Sequence, residues 1–283
     1  MSKAAPIPSI TLNNGVEMPQ LGFGVFQVPD AEATAAVETA LAAGYRSIDT
    51  AAVYENETGT GKALTGSGIA RDELFVTTKL WNSASRSWTR DAVLRELDAS
   101  LERLGLDHVD LYLIHWPRAV RDDYLSIWRA FEEIAESGRA RAIGVSNFQP
   151  AHLERLLAET SVVPAVNQIE LHPFLAQSEL RAFHARHGIT TEAWAPLGQG
   201  KELLSTPVIA GIAEKHGRTP AQIVLRWHLQ LGHVAIPKSV TPSRIRENFD
   251  VFGFGLDDED MTAIAALDSG TRLGPDPDEF DVN

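Results

Sequence analysis

Leu74-Phe75-Val76-Thr77-Thr78-Lys79, then Val93, Leu97, Leu101 and Leu104 closing on Gly105, then Val109-Asp110-Leu111-Tyr112-Leu113-Ile114-His115, is the stretch that decides the fold. Its two ends are nearly continuous apolar runs, as expected of parallel strands covered on both faces. Between them the apolar positions recur at helical spacing, and Gly105 supplies the left-handed residue that commonly closes a helix. A strand, a helix and a second strand in this order predict a parallel α/β fold.

The same unit repeats outward in both directions. Further strands are predicted at Tyr45–Ile48, Ala142–Val145, Ala165–Ile169, Thr190–Trp194 and Val234–Ile236. Helical spacing is read at Val37 and Leu41 before Gly44, at Ile127, Phe131 and Ile134 before Gly138, at Leu153, Leu156 and Leu157, and at Leu180 and Phe183 before Gly188. Ahead of the repeats, Asn13-Asn14-Gly15 sits in the apolar segment Ile10–Met18, which predicts a short hairpin acting as a plug or lid. No linker or composition break divides the 283 residues, and α/β barrels of about 250 residues form one unit. A single domain over residues 1–283 is expected.

The residues leave two architectures open, a closed barrel and an open doubly wound sheet. An open dinucleotide-binding sheet would carry G-x-G-x-x-G between its first strand and helix. Leu21-Gly22-Phe23-Gly24-Val25-Phe26-Gln27 lacks the third glycine, and Gly59-Thr60-Gly61-Lys62 has Asn56 and Ala63 where a phosphate loop needs Gly and Ser or Thr.

Composition removes several functions. The formal net charge of -13 opposes a nucleic-acid or anionic-membrane partner. The absence of cysteine excludes disulfides, thiolate metal ligands and a Cys nucleophile. Residues 1–15 do not read as a signal peptide and no run is long enough to span a membrane, so a cytoplasmic protein is expected. No long unpaired apolar stripe calls for an obligate partner, and a monomer is expected. The tail from Gly270 to Asn283, with Asp276, Asp278, Glu279 and Asp281, reads as irregular and exposed.

In parallel α/β folds the chemistry lies where strands end. Asp49 ends one predicted strand with Tyr54 in the loop beyond it, Lys79 ends the next, and His115 ends the third. Each alone is an ordinary polar strand end. If a barrel closes, they meet at one mouth, and the set has a chemical logic. The Lys79 ammonium would lower the pKa of Tyr54 toward use as a general acid, Asp49 would keep Lys79 charged, and His115 would position a carbonyl oxygen. Lys238-Ser239-Val240-Thr241-Pro242-Ser243-Arg244 reads as a capped helix start flanked by cations, a phosphate site. His172 beside Glu170 has no third ligand at suitable spacing, and no metal is expected.

These strand ends resemble the Asp-Tyr-Lys-His tetrad of the aldo-keto reductases. The resemblance runs from Pro19–Gly24 through Gly144–Phe148 and Asn167–Pro173 to Ile236–Val240, and is strongest with the bacterial 2,5-diketo-D-gluconate reductases at Leu21–Gln27, Leu80–Asn82 and Pro196–Lys201. It implies a (β/α)8 TIM barrel with an N-terminal hairpin and NADPH-dependent reduction of small aldehydes or ketones.

Residue by residue, the resemblance assigns Asp49, Tyr54, Lys79 and His115 to catalysis. Ser146, Asn147 and Gln168 go to the nicotinamide carboxamide, and Trp194 to stacking on its ring, where many relatives have Tyr. Leu197 and Gly198 go to the pyrophosphate, and Lys238, Ser239 and Arg244 to the 2′-phosphate. Glu247 and Asn248 are assigned to the adenine, with Gly24, Val240 and Thr241 also in the cofactor site. Phe26, Trp81 and Trp116 are assigned to the substrate wall, and the tail to closure over the substrate. Two other readings compete: an NADPH-binding regulatory subunit with little catalysis, and a metal-dependent barrel hydrolase using His115, Asp49 and His172.

Overall fold

The computed structural model of the chain describes residues 7–83 and 87–281. Residues 1–6, on which the reading of a leader bears, and the last two residues of the tail lie outside that range. The chain opens with the predicted hairpin, β1 (Ser9–Thr11) and β2 (Glu17–Pro19), antiparallel with Ile10 opposite Met18. Gly15 takes the left-handed conformation at φ 84° and donates to Leu12 O at 2.9 Å. Leu12 and Met18 pack against Phe75, Leu111, Leu113, Ala142, Ala165, Val166 and Val234. Several of these lie in the N-terminal halves of their strands, so the hairpin is a plug at the floor of the sheet, away from the strand ends that carry Asp49, Lys79 and His115.

The larger sheet holds β3 (Phe23–Gly24), β4 (Ser47–Asp49), β5 (Phe75–Leu80), β6 (Val109–Ile114), β7 (Ala140–Ser146), β8 (Val166–Glu170), β9 (Thr190–Trp194) and β10 (Val234–Ala235), all parallel and in chain order. Its two edges meet. Gly22 donates its N–H to Ala235 O at 2.9 Å, Ala235 to Gln20 O at 3.1 Å, and Gly24 to Pro237 O at 3.1 Å. These bonds close the (β/α)8 barrel and decide between the two architectures that the residues left open.

The helices are α1 (Asp30–Ala43), α2 (Glu57–Gly66), α3 (Arg90–Leu104), α4 (Tyr124–Glu136), α5 (Pro150–Glu159), α6 (Ser178–His187), α7 (Pro207–His216), α8 (Pro220–Gln230), α9 (Pro242–Phe249) and α10 (Asp258–Ala265). Their apolar stripes lie on the barrel. Val93, Leu97, Leu101 and Leu104 of α3 are buried, and Phe131 of α4 stacks on Tyr112 of β6 with ring centroids 4.6 Å apart. Each large side chain removed from water contributes about 1.5–3 kcal/mol. The cluster Gly59-Thr60-Gly61 serves packing: a Cβ on Gly61 would lie 2.3 Å from Leu104 O, and one on Gly59 2.3 Å from Asp30 O. Only glycine lets α2 approach α1 and α3 so closely.

Two predicted strands, Val109–Ile114 and Thr190–Trp194, have the expected ends, and the others shift by one or two residues. The strand Phe23–Gly24 is not evident in the sequence, because Phe23 stands between two glycines and the partners of the strand, Asp49 and Pro237, are remote from each other in the chain. The tail is irregular as expected, but not simply exposed. Pro277 is buried, and Leu273, Gly274 and Phe280 are half-buried.

Candidate active site

The C-terminal ends of β4, β5 and β6 bring three of the predicted groups to one mouth. Gly24 pairs with Asp49, Asp49 with Thr77, two residues before Lys79, and Lys79 with Leu113, two residues before His115, so the three groups stand in steps along adjacent strands. Lys79 Nζ donates to Asp49 Oδ1 at 2.5 Å and to Thr50 O at 2.9 Å, with Lys79 fully buried. Burial is the largest single influence and would discharge the ammonium, but the charge and hydrogen bond of Asp49 together with Tyr54 and Glu192 exceed it, and the Lys79 pKa is raised.

Tyr54 ends a short helical turn, residues 52–54, just beyond β4, and is partly exposed. Lys79 Nζ stands 5.1 Å from its ring centroid. Against expectation, the Tyr54 pKa is raised rather than lowered. Burial is the largest cause and Asp49 adds to it, and together they exceed the downward pull of Lys79. The phenol therefore holds its proton at neutral pH.

His115 lies with its ring centroid 5.7 Å from that of Tyr54 and 5.2 Å from that of Trp81, edge-on to both. Burial, then Lys79, hold its pKa well below 6.5, so it is a neutral imidazole that donates from one nitrogen. Asp49, Tyr54, Lys79 and His115 are thus one cluster.

The same cluster extends into the residues assigned to the nicotinamide. Asn147 Nδ2 donates to His115 O at 3.0 Å and to Ser146 Oγ at 3.1 Å, and Ser146 Oγ donates to Gln168 O at 2.8 Å. Trp194 Nε1 donates to Asn147 Oδ1 at 2.8 Å, which fixes the plane of the half-buried indole. Asn147 holds these contacts from a left-handed backbone, φ 64°, a conformation asparagine tolerates better than most residues. Gly198 is buried at φ 59°, with Leu197 beside it, half-buried.

The cation cluster lies beyond β10. Thr241 stands at the N-cap of α9 and Pro242 at its first position, as expected, but the Thr241 side chain makes no capping bond. Its N–H instead donates to Ser239 Oγ at 3.1 Å. The first turn of α9 is left open, and among the described residues the exposed Lys238 and Arg244 engage no partner. Val240 is exposed, Asn248 is buried, and Glu247 already accepts from Thr219 Oγ1 at 2.8 Å. A Cβ on Gly24 would meet Ile236 O at 3.3 Å and Lys238 Cβ at 4.0 Å, so Gly24 sits beneath this cluster.

Two aromatic residues of the expected wall, Phe26 and Trp81, border the cluster, and the third, Trp116, follows His115 in the chain and faces the tail. Phe26 is 53% exposed with its ring 5.0 Å from that of Tyr54. Trp116 is buried and meets Phe280 of the tail at 4.2 Å. The tail is strapped across this face: Glu170 accepts from its Leu273 and Gly274 N–H groups, and Asp281 lies 3.1 Å from Arg121 and 3.5 Å from Arg118. His172 donates to Glu170 at 3.0 Å. Among the described residues no group of three His, Asp or Glu is placed to hold a metal.

One residue in this network was missed from the sequence. Glu192 of β9 is fully buried and accepts from Gln168 Nε2 at 2.8 Å. Its signal was legible as a carboxyl in a strand covered on both faces, where charge is costly.

The chain matches the model of the Aldo/keto reductase family over residues 20–269 and belongs to that family. It is 57% identical over 273 residues to an aldo-keto reductase of Mycolicibacterium smegmatis, covering 96% of this chain and 98% of that one. It is 53% identical over 272 residues to the methylglyoxal reductase DkgA of Escherichia coli K12, covering 96% and 97%. A crystal structure of a Gox0644 mutant in complex with NADPH superposes with a TM-score of 0.92 at 48% identity, covering 98% of this chain and 100% of that one. No helix among the described residues is long and apolar enough to cross a membrane.

Proposed function

We propose that this chain is an NADPH-dependent reductase of small aldehydes and ketones, with Tyr54 as the proton donor. The observation that carries the reading is the meeting of Asp49, Lys79, Tyr54 and His115 at one barrel mouth. One barrel domain over residues 1–283 holds both sites, and the protein is a cytoplasmic monomer. Its charge of -13 disfavours nucleic acid.

The residues present fit NADPH. The uncapped start of α9, with Lys238 and Arg244 beside it and without partners among the described residues, suits a phosphate dianion. Trp194, pinned by Asn147, offers an aromatic face, and Ser146, Asn147 and Gln168 supply amide and hydroxyl groups beside it. NADPH, when bound, supplies the hydride that reduces the carbonyl carbon to that of an alcohol.

The protein does the rest. Tyr54 donates its proton to the carbonyl oxygen as that oxygen gains charge. Neutral His115 holds the oxygen by hydrogen bonding without surrendering a proton. Lys79, kept charged by Asp49, stabilises the phenolate left on Tyr54, a stabilisation that grows as the proton departs. Phe26, Trp81 and Trp116 exclude water and suit a compact substrate. A small dicarbonyl is the first to test, given that the E. coli relative is named a methylglyoxal reductase.

Loss of NADPH absorbance with a panel of carbonyl compounds, NADH run alongside, tests the reading. Tyr54→Phe is expected to lose about 10²- to 10⁴-fold in kcat while still binding NADPH. Retained turnover in that variant would remove Tyr54 from the role of donor.

A further inference from the structure

The scheme above leaves one buried carboxyl unused. Glu192 sits in the middle of β9 with no exposed surface. Gln168 Nε2 donates to Asp49 Oδ2 at 2.8 Å and to Glu192 Oε2 at 2.8 Å, so both hydrogens of one amide are spent on two carboxyls. The amide nitrogen is thereby held between the carboxyls and its carbonyl oxygen is turned away from them. From Asp49 the chain of contacts continues to Lys79 at 2.5 Å and on to the Tyr54 ring. Only Asp49 touches the ammonium, Glu192 reaches the pair through the Gln168 amide, and Glu192 Oε1 has no partner among the described residues. Packing alone would be served by an apolar residue at this position, without the desolvation cost of a carboxyl.

We infer that Glu192 is a positioning residue of the reducing site: it fixes the Gln168 amide against Asp49, and on ionising it opposes loss of the Tyr54 proton. This rests on the reading of Tyr54 as the donor. The groups facing Glu192 are Asp49 from β4, Lys79 from β5 and Tyr54 from the turn after β4. β8 presents neutral Gln168, and β10 presents Val234 as its register partner.

The order of ionisation supports the role. Burial, then the Asp49 charge, push the Glu192 carboxyl up to about 8. It is neutral at pH 7 and gains its charge before Tyr54 loses its proton, since the phenol is held above its ordinary 10.0. Once ionised, Glu192 raises the pKa of Tyr54 and of Lys79 alike. The reducing form of the site therefore survives further into alkaline solution than the Asp49–Lys79 pair alone would allow.

The test is Glu192→Gln, which keeps an oxygen to accept from Gln168 and removes the charge. With kcat followed from about pH 6 to about pH 11, the ratio of parent to variant is expected to rise with pH above about 8. The alkaline limb moves to lower pH, a loss of about a few-fold along that limb. Glu192→Leu, without the charge and without an acceptor for Gln168, shows the displaced limb together with a further loss of kcat at every pH, which Glu192→Gln does not show. A second readout needs no cofactor: tyrosinate absorbance, taken as the difference between each background and its Tyr54→Phe partner, has a lower midpoint without Glu192. Superimposed titrations and profiles, or a loss by the same factor at every pH, would overturn the proposal. If instead the parent protein reduces no carbonyl, the functional reading fails, and the absorbance titration still decides whether Glu192 acts on Tyr54.

Discussion

The carboxylate of Glu170, at the end of β8, accepts the backbone N–H of Leu273 at 2.6 Å. Its other oxygen accepts from Gly274 at 2.9 Å, and His172 donates at 3.0 Å to the same oxygen as Leu273. Burial would raise the Glu170 pKa, but these three donors win and hold it below 4.5. The bond ties the tail to the barrel mouth, where Gly274 lies so close to Trp194 that a Cβ there would come within 2.6 Å of the indole. Farther on, Phe280 covers Trp116.

Glu170→Gln keeps the shape but leaves one backbone N–H facing an amide nitrogen, and hydrogen bonds to charged groups are worth about 1.5–3 kcal/mol. The tail is therefore expected to loosen. We predict a KM for the carbonyl raised about three- to tenfold with kcat changed less, and faster proteolytic cleavage after residue 270. Unchanged KM and cleavage would show that the tail is held elsewhere, by Asp281 and Arg121.

Lys238 and Arg244 stand exposed beside the uncapped start of α9, without partners among the described residues, two cations gathered at the positive end of a helix where a dianion could join them. The double variant Lys238→Ala, Arg244→Ala is expected to raise the Kd for NADPH about 10- to 100-fold and that for NADH far less. The NADPH affinity of the parent should also weaken with added salt more steeply than that of the variant. Equal losses for both cofactors, measured by fluorescence titration, would move the 2′-phosphate to another site.

How far the sequence could be read depended on whether a signal was local. Lys79 and His115 each end an apolar run, and Gly105 and Gly188 each close a periodic stretch, so β5, β6, α3 and α6 were visible one window at a time. Phe23–Gly24 was not, because its pairing joins Asp49 and Pro237, remote from it and from each other. The direction of the Tyr54 shift failed for a related reason: the Lys79 charge is evident from the tetrad, whereas burial, which exceeds it, is a property of the closed barrel. The tail was read as exposed from its acidic residues, yet its attachment depends on backbone N–H groups that no composition reveals.

Behind the barrel wall lie three buried histidines that must stay neutral. His184 bridges Asn167 and Thr191 at 2.9 and 2.8 Å, and His228 donates to Pro196 O at 3.2 Å. The His233 ring lies 5.9 Å from that of His228. Burial is the first cause in each, lowering His184 and His228 to about 3 and His233 to about 2. In the unfolded chain they titrate near ~6.5. As pH falls below that value the unfolded state takes up protons that the native state refuses, so stability drops, and continues to drop until the native values are reached. Each group contributes a slope of up to about 1.4 kcal/mol per pH unit. Buried His115, also lowered, adds a fourth such slope, and Glu192, whose raised carboxyl takes up its proton first in the native state, offsets about one of them. About three net slopes would remove most of a typical 5–15 kcal/mol stability within about two to three units. Glu170 and Asp260, with lowered values, add to the loss at lower pH. The unfolding midpoint in urea is therefore expected to fall steeply between about pH 6 and pH 4, and His228→Gln, which keeps a donor for Pro196, should flatten that fall by about a third. A midpoint that stays level across this interval would mean that the rings are hydrated and charge freely within the native barrel.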